Sequence, residues 1–282
     1  MKTGQTGGKI NYYLSLPATP AIVIMGNSRS LYQIIPDSFK VSCFNLSHAG
    51  MGQIFQTGLL SVLNNHHKIP SVILLHLEPE EFTGKQTDED IQNLKYYYGR
   101  NELVTNYIVN LSKYEKWKFY FQSYRFNGRV ITLFKNYLQT IRGNGENNGY
   151  SMIERSERDS INVLRAVDHP IGSPEENFNF DQWRYLEAFI NSCKQANTLV
   201  ICFTSPIYKG FGSYSKTTQI LKSSLSRLNT PYINFLKHPI AKLEEHPGFW
   251  KDTKHLNHDG AQLESEALAN AVMEILTSKG YR

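Results

Sequence analysis

The sequence predicts an α/β fold, a three-layer αβα sandwich built around a five-stranded parallel sheet. Short apolar runs, typical of strands that are buried on both faces, recur along the chain. Amphipathic stretches of helical period separate them, and this alternation is typical of a parallel sheet with helical crossovers. With 282 residues, 40% of them hydrophobic, the chain is long enough for one large core.

Five runs have the composition of strands. They occupy 21–26, 41–46, 71–77, 198–203 and 232–236. The first run follows Pro20 and ends at Gly26, which permits a sharp turn close to other backbone. Amphipathic helices are expected from Ile54 to about His67, from Phe180 onward, over 216–228, and from about Asp259 to Leu276.

The regular alternation stops after the third strand. We interpret 83–178 as an inserted helical and loop subdomain, between strands three and four of a single domain that spans 1–282. Its first helix is expected to begin near Thr87, where three acidic residues follow a side chain suited to capping. Few apolar positions recur between 150 and 178, so no firm structure is assigned to that stretch.

The inserted region is basic and aromatic. Between Lys95 and Arg142, nine Lys or Arg residues stand against two Glu, although the whole chain has a net charge of only +5. Such a segment, 94–142, could stack on nucleic acid bases, hold sugar rings, lie on an anionic membrane surface or cover a site as a helical cap. No known nucleic-acid-binding motif is present, so nucleic acid is not an expected partner. We favour the cap, with proximity to a glycan or a membrane surface as a second interpretation.

The remaining composition points to no cofactor. The three cysteines lack the spacing of a zinc site or a disulfide framework. Neither a metal nor an organic cofactor is therefore expected.

No run reaches the ~18 apolar residues of a membrane helix.

Two short motifs near the ends of the chain carry the chemical signal. Gly26-Asn27-Ser28 places a serine just past the first strand, at the edge of an α/β sheet where ligands collect. Asp252 precedes His255 by three residues, so both side chains can lie on one side of a turn. Together these residues could form a nucleophile, its base and the group that orients the base. Taken singly, Ser28 could cap a helix and the Asp-His pair could form a helix-entry turn.

With these motifs, the chain resembles the SGNH/GDSL hydrolase superfamily, in which Gly-Asp-Ser follows the first strand and Asp-x-x-His precedes the last helix. The resemblance implies a flavodoxin-like sheet and a catalytic triad of Ser28, His255 and Asp252. It also implies an oxyanion hole that includes the backbone N–H groups of Ser28 and Gly50. Asn45, in the same block as Gly50, is a further candidate donor to that hole.

The third block of the superfamily differs in this chain. Its oxyanion asparagine is absent, and Glu78 stands about where that asparagine should be. An ionised carboxylate repels a developing oxyanion. Glu78 could therefore be protonated by burial, point away, simply open the turn at Pro79, or leave the donor role to Asn45 or His76.

Four residues are candidate substrate contacts, because each follows the nucleophile or the end of a predicted strand. They are Arg29, Glu78, Ser205 and Tyr208. Arg29 could meet an anionic substrate or pair with Glu78. A simple Ser-Pro turn is the alternative account of Ser205.

The resemblance implies a serine-dependent acyl-ester hydrolase or O-acyltransferase acting on a small-molecule or glycan ester. Taken with the aromatic insertion, the resemblance also implies carbohydrate O-acyl groups, acetyl above all, as the leading substrate class. The alternative is a catalytically inactive binding or scaffold protein that kept the fold. Relatives that the chain resembles often carry an N-terminal anchor or export signal. A cell-envelope or periplasmic location is expected if such a segment was removed, and a cytoplasmic one otherwise.

Overall fold

A computed structural model describes residues 7–84, 88–111, 148–167, 177–210 and 214–280. Within them, five parallel strands form one sheet in the order β2-β1-β3-β4-β5. The strands are β1 (Ile22–Met25), β2 (Cys43–Asn45), β3 (Val72–His76), β4 (Leu199–Thr204) and β5 (Tyr232–Asn234). The predicted fold class and its flavodoxin-like strand order are confirmed. Each observed strand lies within or overlaps a predicted run, with shifts of one or two residues at most ends.

Helices cover both faces of the sheet. They are α1 (Gly7–Leu14), α2 (Ser28–Gln33), α3 (Gln53–Asn65), α4 (Glu102–Leu111), α5 (Glu157–Val167), α6 (Phe180–Gln195), α7 (Ser215–Arg227), α8 (Ala241–Glu245) and α9 (His258–Ser278). Short 3-10 helices at Pro36–Ser38, Pro79–Phe82, Glu89–Tyr97 and Pro247–Phe249 connect them.

Alternate side chains of β1, an interior strand of the sheet, enter different cores. Val23 and Met25 pack in a cluster with buried residues of α1, α3, α6 and α7. Ile22 and Ile24 face the other side, where they pack in a cluster with α9. Because β1 is buried on both faces and pairs with β2 and β3, the residues that follow it are held at the carboxyl edge of the sheet, between its neighbours.

The region between β3 and β4 has more order than the sequence indicates. The helix expected from Thr87 is a 3-10 helix at Glu89–Tyr97 followed by α4. The sequence assigns no firm structure to 150–178, and the structure places α5 within that stretch. Val163 of α5 is buried in a cluster with Trp250. This packing between distant parts of the chain stabilises α5, which is amphipathic although it contains few apolar residues. Most of the basic segment 94–142 lies outside the described residues, and its proposed role as a cap stays a prediction.

None of the helices within the described ranges has both the length and the apolar character needed to cross a membrane.

Candidate active site

The turn after β1 presents Ser28 at the carboxyl edge of the sheet. Gly26 has φ +145°, and a Cβ there would lie 2.6 Å from the His76 Cβ and 2.6 Å from the Ser30 Oγ, so only glycine fits. Asn27 is the N-cap of α2, and its Oδ1 accepts a hydrogen bond from the Arg29 N–H at 3.0 Å. Because Asn27 caps the helix, the Ser28 hydroxyl is left for another contact.

That contact is with His255. Ser28 Oγ lies 3.0 Å from His255 Nε2, although 227 positions separate the two residues. The other ring nitrogen, Nδ1, lies 2.9 Å from Asp252 Oδ2 and 3.1 Å from Asp252 Oδ1. The structure thus brings together all three residues that the resemblance assigns to a triad, in the expected order of contact.

The turn before α9 holds the Asp252 carboxylate in place. Asp252 Oδ1 accepts hydrogen bonds from the N–H groups of Lys254 and His255, both at 2.8 Å. Partial burial opposes ionisation, but the hydrogen bonds from the His255 side chain and from this backbone outweigh it and lower the pKa of Asp252 to about 2. The carboxylate is therefore ionised at neutral pH and can hold one tautomer of the imidazole.

A small polar cavity of about 240 Å³ adjoins Ser28. It is lined by Asn27, Ser28, Gly50, Gly52, Glu81, Asp90 and Gln182. Within the described parts of the chain, no residue accepts a hydrogen bond from the N–H of Ser28 or of Gly50. Both residues lie on the cavity wall, so their N–H groups are candidate donors to a ligand.

Two carboxyl groups face this cavity. Glu81 accepts hydrogen bonds from Asn27 Nδ2 at 3.1 Å and from Gln53 Nε2 at 2.8 Å. Burial raises its pKa to about 8. Asp90 Oδ2 accepts a hydrogen bond from the Gly52 N–H at 2.6 Å, and burial raises the pKa of Asp90 to about 6. Both groups therefore bind a proton more readily than an exposed acid does.

The suggested oxyanion role of Asn45 is wrong. Its amide nitrogen donates to the carbonyl oxygens of Ser30 at 2.7 Å and Ile34 at 2.8 Å, and its Oδ1 accepts from the Ser47 N–H at 3.0 Å. Asn45 is fully buried and is not among the cavity residues. Its polar groups join β2 to α2, so no amide hydrogen is left for a ligand.

Arg29 and Glu78 form a buried ion pair beneath the nucleophile. Arg29 Nη1 lies 3.0 Å from Glu78 Oε2 and 3.2 Å from Oε1, and Arg29 Nη2 also donates to the Pro206 carbonyl oxygen. The exposed fractions of the two side chains are only 2% and 8%. Of the sequence alternatives, the pairing of Arg29 with Glu78 is the observed one. Neither residue lines this cavity, and the ion pair occupies both side chains; the substrate contacts predicted for them stay predictions.

The substrate contacts predicted for Ser205 and Tyr208 do not agree with their positions in the structure. Ser205 is fully buried, and its N–H points to His76 Nε2 at 3.4 Å. Tyr208 packs against Trp250 with ring centroids 5.6 Å apart and is 4% exposed. Both follow the carboxyl end of β4, as predicted, but neighbouring elements cover that part of the edge.

Sequence reasoning missed most of the cavity wall. Glu81, Asp90, Gln182 and Gly52 were not candidates, since none belongs to a motif of its own. A signal did exist for Glu81, which follows Glu78 by three residues in the short segment after β3. Because ligands bind at this edge of the sheet, a glutamate in this segment is a candidate for contact with the nucleophile.

Comparisons with known proteins find only distant similarity. No family model matches the sequence, and no curated protein matches it. Among solved structures, a candidate acylhydrolase from Bacteroides fragilis NCTC 9343 has 12% identity and a TM-score of 0.46, with 99% of this chain and 100% of that chain covered. A GDSL-like lipase from Bacteroides thetaiotaomicron VPI-5482 has 10% identity and a TM-score of 0.46, with 95% and 97% covered. A candidate platelet activating factor from Streptococcus pneumonia has 12% identity and a TM-score of 0.46, with 94% and 89% covered. The functional interpretation therefore depends on the chain's own residues.

Proposed function

We propose that the chain is a serine-dependent acyl-ester hydrolase or O-acyltransferase of SGNH type, which acts on O-acyl groups, acetyl above all, of a carbohydrate. The observation that carries this proposal is the continuous contact from Ser28 Oγ through His255 to Asp252, with distances of 3.0 Å and 2.9 Å. A histidine between a serine and an ionised aspartate is the arrangement that makes a weak hydroxyl nucleophilic.

The first half of the reaction forms an acyl-enzyme. His255 Nε2 takes the proton of Ser28 Oγ while that oxygen attacks the ester carbonyl carbon. The N–H groups of Ser28 and Gly50 donate to the resulting oxyanion, and each such donor contributes roughly 3 kcal/mol to the barrier reduction. His255 then returns its proton to the leaving alcohol as the ester bond breaks, and Asp252 stabilises the charged imidazole in between.

The second half releases the acyl group. Water, or a sugar hydroxyl in the transferase version, loses a proton to His255 and attacks the acyl carbon. The bond to Ser28 Oγ breaks, and the serine recovers the proton from His255. Hydrolysis and transfer differ only in the molecule that supplies this second hydroxyl.

The cavity favours a small, hydroxyl-bearing substrate. Among the residues that the structure describes, the seven that line it are polar or glycine, and its volume is about 240 Å³. Pockets for drug-sized ligands reach about 300–1,000 Å³ and are mostly apolar. A long acyl chain needs apolar walls to leave water, whereas an acetyl group and a sugar ring need little space and many hydrogen bonds.

The test is the hydrolysis of p-nitrophenyl acetate by the wild type and by Ser28→Ala. We expect the variant to lose about 10³-fold or more in kcat, because removal of the nucleophile leaves only binding and the oxyanion donors. A fluorophosphonate probe should label the wild type and not the variant.

Ser223→Ala is the matched control, since Ser223 is exposed on α7, away from the cavity. It should keep wild-type turnover and labelling. Equal rates for the wild type and Ser28→Ala would remove the proposed activity. Absence of labelling in the wild type would instead support the inactive binding protein.

A further inference from the structure

One carboxyl group joins the two loops that hold the candidate oxyanion donors. Glu81 Oε1 accepts from Asn27, which directly precedes Ser28, and Glu81 Oε2 accepts from Gln53, which opens α3 just after Gly50 and Gly52. Asn27 is itself fixed by the hydrogen bond from the Arg29 N–H to its Oδ1. Glu81 thus links the Ser28 loop to the start of α3, in addition to the hydrogen bonds that His48 N and Gln56 Nε2 donate to the Gly26 carbonyl oxygen.

The hydrogen-bond partners of Glu81 are compatible with a protonated carboxyl group. Gln53 Oε1 is buried and has no hydrogen-bond partner among the described residues. The oxygen and nitrogen of a glutamine amide exchange places by a half-turn of the group. If Glu81 Oε2 carries a proton, a turned Gln53 accepts it on Oε1, and Nε2 takes the place of the unpartnered oxygen, so the contact between the two side chains is kept in either state. Asn27 cannot turn in the same way, because its Oδ1 is occupied by the helix cap.

The charged surroundings of Glu81 favour the same state. Glu78, from the same segment, is neutralised by Arg29 of α2. Asp90, from the 3-10 helix at Glu89–Tyr97, faces the cavity, and none of the described residues that line this cavity is a cation. Asn27 and Gln53, the two groups that touch Glu81, are neutral amides, as is Gln182 of α6 across the cavity. Burial, with the charges of Glu78 and Asp90, raises the pKa of Glu81 to about 8 even though the two amides lower it.

We propose that Glu81 is a positioning residue that acts in its protonated form, holding Asn27 and Gln53 so that the Ser28 and Gly50 N–H groups converge on one carbonyl oxygen. This proposal rests on the proposed function. A neutral Glu81 places no negative charge next to the developing oxyanion, whereas an ionised one opposes it. Glu81 thus compensates for the asparagine that the third block lacks, through geometry rather than by donating to the substrate.

The experiment is the pH profile of kcat for p-nitrophenyl acetate, with Ser28→Ala as the blank. Wild-type kcat should fall above about pH 8, where Glu81 ionises. Glu81→Gln should retain kcat within about threefold at pH 7 and lose this alkaline fall, because its amide can donate to a turned Gln53 and never ionises. Glu81→Ala should lose about 100-fold at every pH, since misplacement by about 1 Å has that effect.

Glu102→Gln, at an exposed glutamate of α4, is the matched control and should keep the wild-type profile. An alkaline fall that persists unchanged in Glu81→Gln would overturn the proposal. Full activity of Glu81→Ala would overturn it as well.

A measurement without turnover separates this proposal from the proposed function. The pKa of Glu81 is about 8 in the fold, against an ordinary value of 4.5. The raised pKa means that the folded protein binds this proton more tightly than the unfolded chain does. The resulting stability is fully present below the ordinary pKa of 4.5 and is lost as the pH rises through about 8. The urea-unfolding free energy of the wild type should therefore fall relative to Glu81→Gln between pH 5 and 9. Parallel curves would refute a protonated Glu81 even if Ser28 proves catalytic, and diverging curves would support it even if Ser28 proves inert.

Discussion

Two carboxyl groups lie on either side of Ser28, and their surroundings shift their pKa values in opposite directions. Asp252 is on the His255 side, with its side chain 55% exposed and its oxygens bonded to N–H groups of Lys254 and His255. Glu81 is on the cavity side, where neutral amides of Asn27 and Gln53 are its partners. The pKa of the first is lowered to about 2, and the pKa of the second is raised to about 8.

The comparison shows that solvent and hydrogen-bond donors, not the type of residue, decide the charge of an acid. An ionised acid is useful beside His255, where it stabilises the positive imidazolium during the reaction. A neutral acid is useful beside the carbonyl oxygen, where negative charge develops. One serine thus has a negative and a neutral carboxyl group on its two sides.

A third carboxyl group, Glu78, extends the comparison. It precedes Glu81 by only three residues and is at least as deeply buried, but Arg29 lies 3.0 Å from it. Glu78 is neutralised by a cation, whereas Glu81 is neutralised by a proton. The two glutamates after β3 therefore have different tasks, one in fixing α2 against the sheet edge and one in shaping the cavity.

The largest expected effect is on the His255 side. Asp252→Asn should lower kcat for p-nitrophenyl acetate by about 10³-fold with little change in KM, because the amide no longer holds the required tautomer or balances the imidazolium. Asp259→Asn is the control, since Asp259 is similarly exposed and makes a 3.8 Å surface contact with Arg155. A loss in Asp252→Asn no greater than that in the control would break the contrast between the two sides of Ser28.

The next largest effect is the difference in unfolding free energy between variants of Glu78 and Glu81. Glu78→Gln should destabilise the fold by about 3 kcal/mol at pH 7, because it leaves the Arg29 charge buried without its partner. Glu81→Gln should not destabilise the fold at that pH, because wild-type Glu81 must take up a proton on folding whereas the glutamine is neutral in both states. Urea unfolding of both variants measures the difference. Equal losses would mean that the two side chains are in the same charge state.

The smallest effect concerns the acid stability of Asp252. Its lowered pKa stabilises the fold above the ordinary Asp value of ~3.9, and this stability is lost as the pH falls through about 2. Because the side chain is half exposed, we expect Asp252→Asn to cost less than about 1 kcal/mol at pH 7. The gap between variant and wild type should narrow between pH 5 and pH 3 in urea unfolding. A gap that widens on acidification would contradict the lowered pKa.

The strands were predictable because local composition determines them. A run such as Ile22–Met25 is apolar at every position, and only a strand buried on both faces accommodates that. Helix α5 was not predictable in the same way. Its Ile161 and Leu164 side chains are 52% and 46% exposed, and the helix is anchored where Val163 meets Trp250, 87 positions away.

The site residues show the same difference between what local sequence predicts and what depends on tertiary contacts. Ser28, Asp252 and His255 could be named from the sequence because each stands in a short motif next to a strand or helix end. Asn45, Arg29, Ser205 and Tyr208 stand at similar places, yet the structure uses them for packing and internal hydrogen bonds. Position at a sheet edge is local information, whereas access to the cavity depends on what the rest of the chain covers.

The sequence by itself determined the sheet, the turn at Gly26 and the residue types that could act on an ester. Only the tertiary structure decided that Glu81 touches Asn27, that Arg29 neutralises Glu78, and that Asp90 and Gln182 complete the cavity wall. The physical reason is that strand formation depends on neighbouring residues, whereas the charge of a carboxyl group depends on burial and on donors from distant segments. Those donors meet the group only after the chain has folded.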